Sequence, residues 1–161
     1  MQKITLICVG KLGQEFLQKG CAEYAKRLSS FCDLRIIELQ EELIREKAAG
    51  EALIARALEK EGEKIFAAVP KGAALVALCI EGKQISSEEL ADFLRERAGS
   101  GHADLAFVIG SSHGLAPAVK QRAQLRLSMS RMTFPHQLAR LMLLEQIYRA
   151  ASINAGTRYH K

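Results

Sequence analysis

Four short apolar runs, Ile4–Val9, Leu34–Leu39, Ala73–Ile80 and Leu105–Ile109, punctuate the chain, and the stretches between them are patterned at helical spacing. Runs this short and continuous suit strands covered on both faces, and strand–helix alternation returns each strand parallel to the last. The pattern predicts an α/β fold with a parallel sheet between two helical layers. One helix is read from Phe16, Leu17, Ala22, Tyr24, Ala25 and Leu28, and a second over Glu41–Phe66, interrupted or kinked around Gly50 and Gly62. A third spans Ser87–Arg97 with Ser86 or Ser87 as its cap. The last helix, about Pro135–Ser152, carries Ala139, Leu143, Ile147 and Ala150 on one face and Leu141, Met142 and Tyr148 on the other. Two apolar faces predict two contacts, one inside the protomer and one elsewhere, as in a homodimer.

A length of 161 residues without a Pro-rich linker, repeat or low-complexity segment predicts one domain over 1–161. No apolar stretch approaches the ~18 residues a membrane helix needs, and the N-terminal run reads as a strand rather than a secretory signal. The four cysteines, at positions 8, 21, 32 and 79, form no CxxC pair and have no histidine nearby. No metal site is expected, and a reduced, cytoplasmic protein is.

The net charge of +5 is unevenly placed: residues 1–104 hold 15 Lys and Arg against 17 Asp and Glu, whereas residues 105–161 hold 8 bases against Glu145 alone. Six of those eight are arginines, at 122, 126, 131, 140, 149 and 158. Guanidinium forks bind phosphate bidentately, so a polyanionic partner is expected, with a solvated basic surface as the alternative.

In an open parallel sheet, ligands bind at the carboxyl ends of the strands. Three segments fall there: Ile80–Lys83, Ile109–Gly114 and Ser128–His136. Glycines at 82, 110 and 114 permit close backbone approach, and Met129, Met132 and Phe134 offer an apolar wall for a ligand with flat and polar parts. Gly110-Ser111-Ser112-His113-Gly114 also matches the G-x-S-x-G nucleophile elbow, with Glu145 and His160 following in hydrolase order. A small serine hydrolase using Ser112 is therefore a rival, weakened by the short chain and by the Arg149 that Glu145 meets four residues on. Phosphate-loop and dinucleotide fingerprints are both absent.

These segments resemble those of the RlmH-type 23S ribosomal RNA pseudouridine N3-methyltransferases of the SPOUT class. The resemblance runs through Val9-Gly10-Lys11-Leu12, Ala22-Glu23-Tyr24 with Lys26-Arg27-Leu28, Glu59-Lys60-Glu61-Gly62 and Phe107-Val108-Ile109-Gly110. It continues through Met132-Thr133-Phe134-Pro135-His136-Gln137 and Glu145-Gln146-Ile147-Tyr148-Arg149-Ala150, and ends on Tyr159-His160-Lys161. Ser111 and His113 depart from the family, which usually has a second glycine after the first. The resemblance implies a three-layer SPOUT fold with a C-terminal trefoil knot, an exception to unthreaded topology. It implies S-adenosyl-L-methionine bound by Leu78, Gly110, Met129, Ser130, Arg131, Met132, Thr133 and Phe134. It further implies a homodimer whose pocket is completed by the partner's tail, and a pseudouridine substrate in 23S rRNA of the assembled ribosome.

Methylation at N3 must remove a proton and stabilise charge on the flanking carbonyls. Imidazole is the commonest general base, so His160 is the candidate base, with Tyr159 to orient the nucleobase and Arg149 to stabilise charge. Lys120, Arg122, Arg126, Arg131 and Arg158 are candidates for RNA phosphate, and His136 for the pocket edge. A non-catalytic basic RNA-binding protein remains the alternative to an enzyme.

Overall fold

The computed structural model describes residues 1–44 and 50–161. Its strands are β1 (Lys3–Val9), β2 (Asp33–Leu39), β3 (Ala74–Lys83), β4 (Leu105–Ile109) and β5 (Leu125–Leu127). Its helices are α1 (Glu15–Leu28), α2 (Glu51–Ala68), α3 (Ser87–Gly99), α4 (Pro117–Arg122) and α5 (His136–Asn154). The five strands pair in parallel in the order β2-β1-β4-β3-β5, the α/β arrangement that the apolar runs predict.

The two-residue period of each strand sorts its side chains into two cores. Ile4, Leu6 and Cys8 of β1 and Leu105, Phe107 and Ile109 of β4 meet Leu28 of α1, Leu90 and Leu94 of α3, and Leu143 and Ile147 of α5. Ile7, Val9, Ala106 and Val108 point the other way, onto Ile65 of α2 and Val119 of α4. Helices therefore cover both faces, as a parallel sheet requires. Each fully buried Leu, Ile, Val or Phe stabilises by about 1.5–3 kcal/mol, so this alternation is the main source of cohesion.

Several boundaries differ from the sequence reading. Described α2 begins at Glu51 with Gly50 as its N-cap, and residues 45–49 of the expected Glu41–Phe66 helix lie outside the described residues. Gly62 does not interrupt α2. It is buried where a Cβ would lie 3.4 Å from Ala116 and Val119, so its missing side chain lets α2 close on α4. The expected strand end at Ile80 moves to Lys83, with a register shift between Leu78 and Lys83 opposite Leu127. Neither α4 nor β5 was expected: six and three residues are too short to show a period, and Arg126 divides Leu125 from Leu127. Ser86, rather than Ser87, caps α3 in a reciprocal box with Glu89 (3.0 and 2.6 Å). Pro135 stands at the N-cap of α5, one residue before its first turn.

The inner stripe of α5 is buried as expected at Ala139, Leu143, Ile147 and Ala150. On its second apolar face, Leu141 and Tyr148 find partners within the same protomer. Leu141 fills the space above Gly20, where a Cβ would lie 3.0 Å from Cδ1, and Tyr148 lies 5.9 Å from the ring centroids of both Tyr24 and Phe31. Arg140, grouped with the phosphate-binding arginines on charge alone, is 5% exposed. It donates to Glu38 Oε2 (2.6 Å) and to the carbonyl of Gly10 (3.2 Å), tying α5 to the carboxyl ends of β1 and β2.

Gly82 is the tightest point between β3 and β5. A Cβ there would sit 2.8 Å from the backbone of Arg126 and Leu127, which cannot swing aside as a side chain can. Gly82→Ala should therefore lower stability by about 1–3 kcal/mol, read as an earlier urea midpoint. An unchanged midpoint would show that β5 yields without cost.

Candidate active site

The three loops singled out in the sequence meet in one cavity of about 620 Å³ at the carboxyl ends of β3, β4 and β5. Leu78, Ile109, Leu115, Leu127, Met129 and Phe134 give it apolar walls, while Glu81, Lys120, Ser128 and Ser130 add polar groups. This composition suits a small ligand with a flat part and a charged part.

Each loop holds its shape for a local reason. After β4 the chain turns so sharply that Gly114 N–H donates to the Ser111 carbonyl (2.9 Å), and Gly114 takes φ +87°. A Cβ on Gly110 would come within 2.2 Å of the Gly114 oxygen, so position 110 admits only glycine. Ser128 Oγ donates to the Ser130 carbonyl (3.0 Å), and Met132 N–H donates to Ser130 Oγ (3.0 Å), folding 128–132 back on itself. Lys120 pairs with Glu81 across the mouth and holds that carboxyl below the usual range. Burial pushes the Cys79 thiol up, and Glu81 adds to that rise.

Of the residues assigned to the cofactor, Leu78, Gly110, Met129, Ser130, Met132, Thr133 and Phe134 all line this cavity. Arg131 is exposed and stands outside the lining. Sequence reasoning missed Cys79 and Lys120 as wall residues. Cys79 belongs to the strand that pairs with β5 and Lys120 to the short α4, and neither that pairing nor that helix has a signature in the sequence.

The proposed catalytic trio is gathered in one place, but that place is not this cavity. Arg149 donates from Nε and Nη2 to Glu145 Oε1 (3.0 and 2.6 Å), and its Nη1 lies 3.1 Å from His160 Nδ1. His160 Nε2 is 2.8 Å from Glu88 Oε1, a contact that lowers the pKa of that carboxyl. Tyr159 donates to Glu145 (3.0 Å) and shares a 3.2 Å hydrogen bond with Tyr24. Its ring meets Tyr148 edge-on at 4.6 Å and lies under the Arg149 guanidinium at 4.8 Å. Burial pushes the Tyr159 phenol up, so it remains a neutral donor. The C-terminal segment is thus docked on α1, α3 and α5.

Among the RNA candidates, Arg122 lies 4.9 Å over the Phe66 ring, Arg126 is exposed on β5 and Arg158 is exposed ahead of Tyr159. The hydrolase reading loses its geometry. Ser112 is on the cavity wall, whereas His160 and Glu145 are absent from that wall and bonded to each other's neighbours. A nucleophile elbow also needs a strained turn, and among the described residues no non-glycine has positive φ. Among the described residues no cluster of His, Cys, Asp or Glu could hold a metal ion, and no helix is long and apolar enough to cross a membrane.

The one half-exposed cysteine gives a test of the cavity. A neutral maleimide should label Cys79 slowly in the native protein, leaving buried Cys8, Cys21 and Cys32 untouched, and a ligand in the cavity should slow it further. Labelling of several thiols before unfolding would contradict the described burial.

Comparison with known proteins agrees with this architecture. The family described as predicted SPOUT methyltransferase matches residues 2–160. The ribosomal RNA large subunit methyltransferase H of Lactococcus lactis subsp. lactis is 50% identical over 160 residues, 99% of each chain. The proteins of that name from Clostridium novyi and Streptococcus sanguinis are 49% and 47% identical over 159 residues, covering 98% and 99% of this chain and 99% of each relative. A match over nearly the whole length, on a parallel α/β sheet with its cavity at the strand ends, places this chain in the SPOUT methyltransferase family.

Proposed function

We propose that residues 1–161 form one methyltransferase domain that methylates N3 of a pseudouridine in 23S rRNA, using S-adenosyl-L-methionine and acting on the assembled ribosome in the cytoplasm. The observation that carries this reading is the single cavity formed by three loops, with Gly110 at its tightest turn. The relatives' names, which specify large-subunit ribosomal RNA, support the substrate. The relatives' name, a methyltransferase, favours an enzyme over a non-catalytic RNA-binding protein. The trefoil knot of the class belongs to the proposal and is supported by the family match over residues 2–160.

The cavity fits the cofactor in kind: apolar walls for the adenine, loop backbone for its polar edge, and Glu81 and the serines for its charged groups. When bound, the cofactor supplies an electrophilic methyl group, and the chain supplies position and proton removal. His160 takes the N3 proton on Nδ1 once that nitrogen leaves Arg149 Nη1, with Nε2–H held by Glu88. Arg149 and Tyr159, both neighbours of Glu145, set the imidazole and the flanking charge. Since this trio stands off its own protomer's cavity, the proposal has it serve the cavity of a second copy in a homodimer. Lys120, Arg122, Arg126 and Arg158 hold phosphate.

Labelled methyl should pass from S-adenosyl-L-methionine to ribosomes lacking the modification, and mass analysis should locate it on a pseudouridine. Cofactor binding without transfer to either ribosomes or free rRNA would refute the substrate assignment. His160→Ala should lower turnover by about 10²–10⁴-fold with cofactor affinity nearly intact; unchanged turnover would move proton removal to another group. Arg126→Ala should weaken RNA binding and reduce the salt slope by about 0.9 if it neutralises one duplex phosphate, and by somewhat less on a single strand. An unchanged slope would remove Arg126 from the interface.

A further inference from the structure

Glu61 is a carboxyl group 3% exposed in the middle of α2, outside the cavity and unused by the proposed chemistry. Burying a carboxylate is costly unless its oxygens find donors. They do so from two separate loops. Ser111 Oγ donates to Oε1 at 3.1 Å, and the backbone N–H of Glu42 donates to Oε2 at 2.9 Å. Ser111 is itself 5% exposed and follows Gly110 in the turn that walls the cavity. Glu42 belongs to the loop after β2, which α2 grips a second time through Lys64, whose Nζ reaches Glu42 Oε1 (2.8 Å) and the Gln40 carbonyl (3.1 Å).

The chemistry of the two donors explains why an accepting side chain stands here. Both oxygens of an ionised Glu accept, whereas a Gln of the same length must turn an NH2 group toward one of the two donors. The Glu42 N–H is fixed by its backbone, but the Ser111 hydroxyl can turn to accept from that NH2, so a Gln keeps both contacts and only an apolar side chain loses them. Burial pushes the Glu61 pKa up, while both hydrogen bonds oppose that rise. Next to it, Gly62 lets α2 approach Ala116 and Val119, so the carboxyl is delivered to the turn at close range.

We propose that Glu61 is a positioning residue for the methyl donor: through Ser111 it fixes the 110–114 turn in the shape that admits the cofactor, and through Glu42 it ties that turn to the loop after β2. The inference rests on the reading of the cavity as the S-adenosyl-L-methionine site. Glu61 touches no reacting atom, and its influence is confined to how tightly the cavity holds its ligand.

The test is a double-mutant cycle on the full-length protein, with S-adenosylhomocysteine as the calorimetric probe and methyl transfer to ribosomes as the kinetic readout. Glu61→Leu and Ser111→Ala should each weaken probe binding roughly ten-fold, whereas Glu61→Gln, which keeps both contacts, should retain most of the affinity. The double variant should be no worse than the weaker-binding single, because both substitutions break one hydrogen bond. KM for the methyl donor should rise in parallel, with kcat at saturation within about two-fold of the unaltered protein. A lower Tm with unchanged probe affinity would reduce Glu61 to a structural group and overturn the proposal, as would additive losses. If Glu61→Leu does not fold, Ser111→Ala, which removes one hydroxyl, decides by itself. Failure of the unaltered protein to bind the probe would overturn the cofactor reading together with this inference, whereas binding without the coupling would overturn this inference alone.

Discussion

Parallel pairing is the constraint from which the rest of the molecule follows. A parallel ladder cannot be closed by tight hairpins, so every connection must cross a face of the sheet, and the crossing helices bury both faces. It also sends every strand's carboxyl end to one edge, where the loops after β3, β4 and β5 must share space. The cavity is what remains between those loops once the backbone has approached as closely as Gly82 and Gly110 permit. Its walls are therefore set by main-chain packing as much as by side-chain choice.

A second organising feature is the division of labour along α5. Its first turn closes the cavity with His136 and Ala139, its second ties the sheet through Arg140, and its middle and following turn receive the C-terminal segment through Glu145 and Arg149. One rigid helix thus links the cavity wall to the docked tail. Arg149, which meets His160, lies ten residues beyond Ala139 on the cavity wall, about three helical turns along α5.

Much of this was legible in the residues. Continuous β-branched runs identified four of the five strands, and Ala139, Leu143, Ile147 and Ala150 marked the inner face of α5. Two of the three loops were legible because each follows such a run and holds a glycine, and the third because of its methionine-rich segment. The remainder depended on tertiary contacts that local pattern does not encode. β5 is held by pairing with β3 rather than by its own composition, Arg140 looks like any surface arginine until its partner Glu38 is known, and Leu141 and Tyr148 look unpartnered until α1 is placed beside them. Glu61 belonged to a recognised motif, but nothing in its neighbours along the chain reveals that its carboxyl meets Ser111 fifty residues away.

The aromatic dock has an optical consequence. The chain has no tryptophan and only three tyrosines, and all three, Tyr24, Tyr148 and Tyr159, lie in the cluster that receives the C-terminal segment. The intrinsic ultraviolet emission of this protein therefore originates from one spot. A phenol hydrogen-bonded to a carboxylate, as Tyr159 is to Glu145, emits differently from one in water, so undocking of the tail would change the signal without any attached dye. Release and return of the segment carrying His160 can be followed in real time on the unmodified chain, with the sheet and its cavity spectroscopically silent.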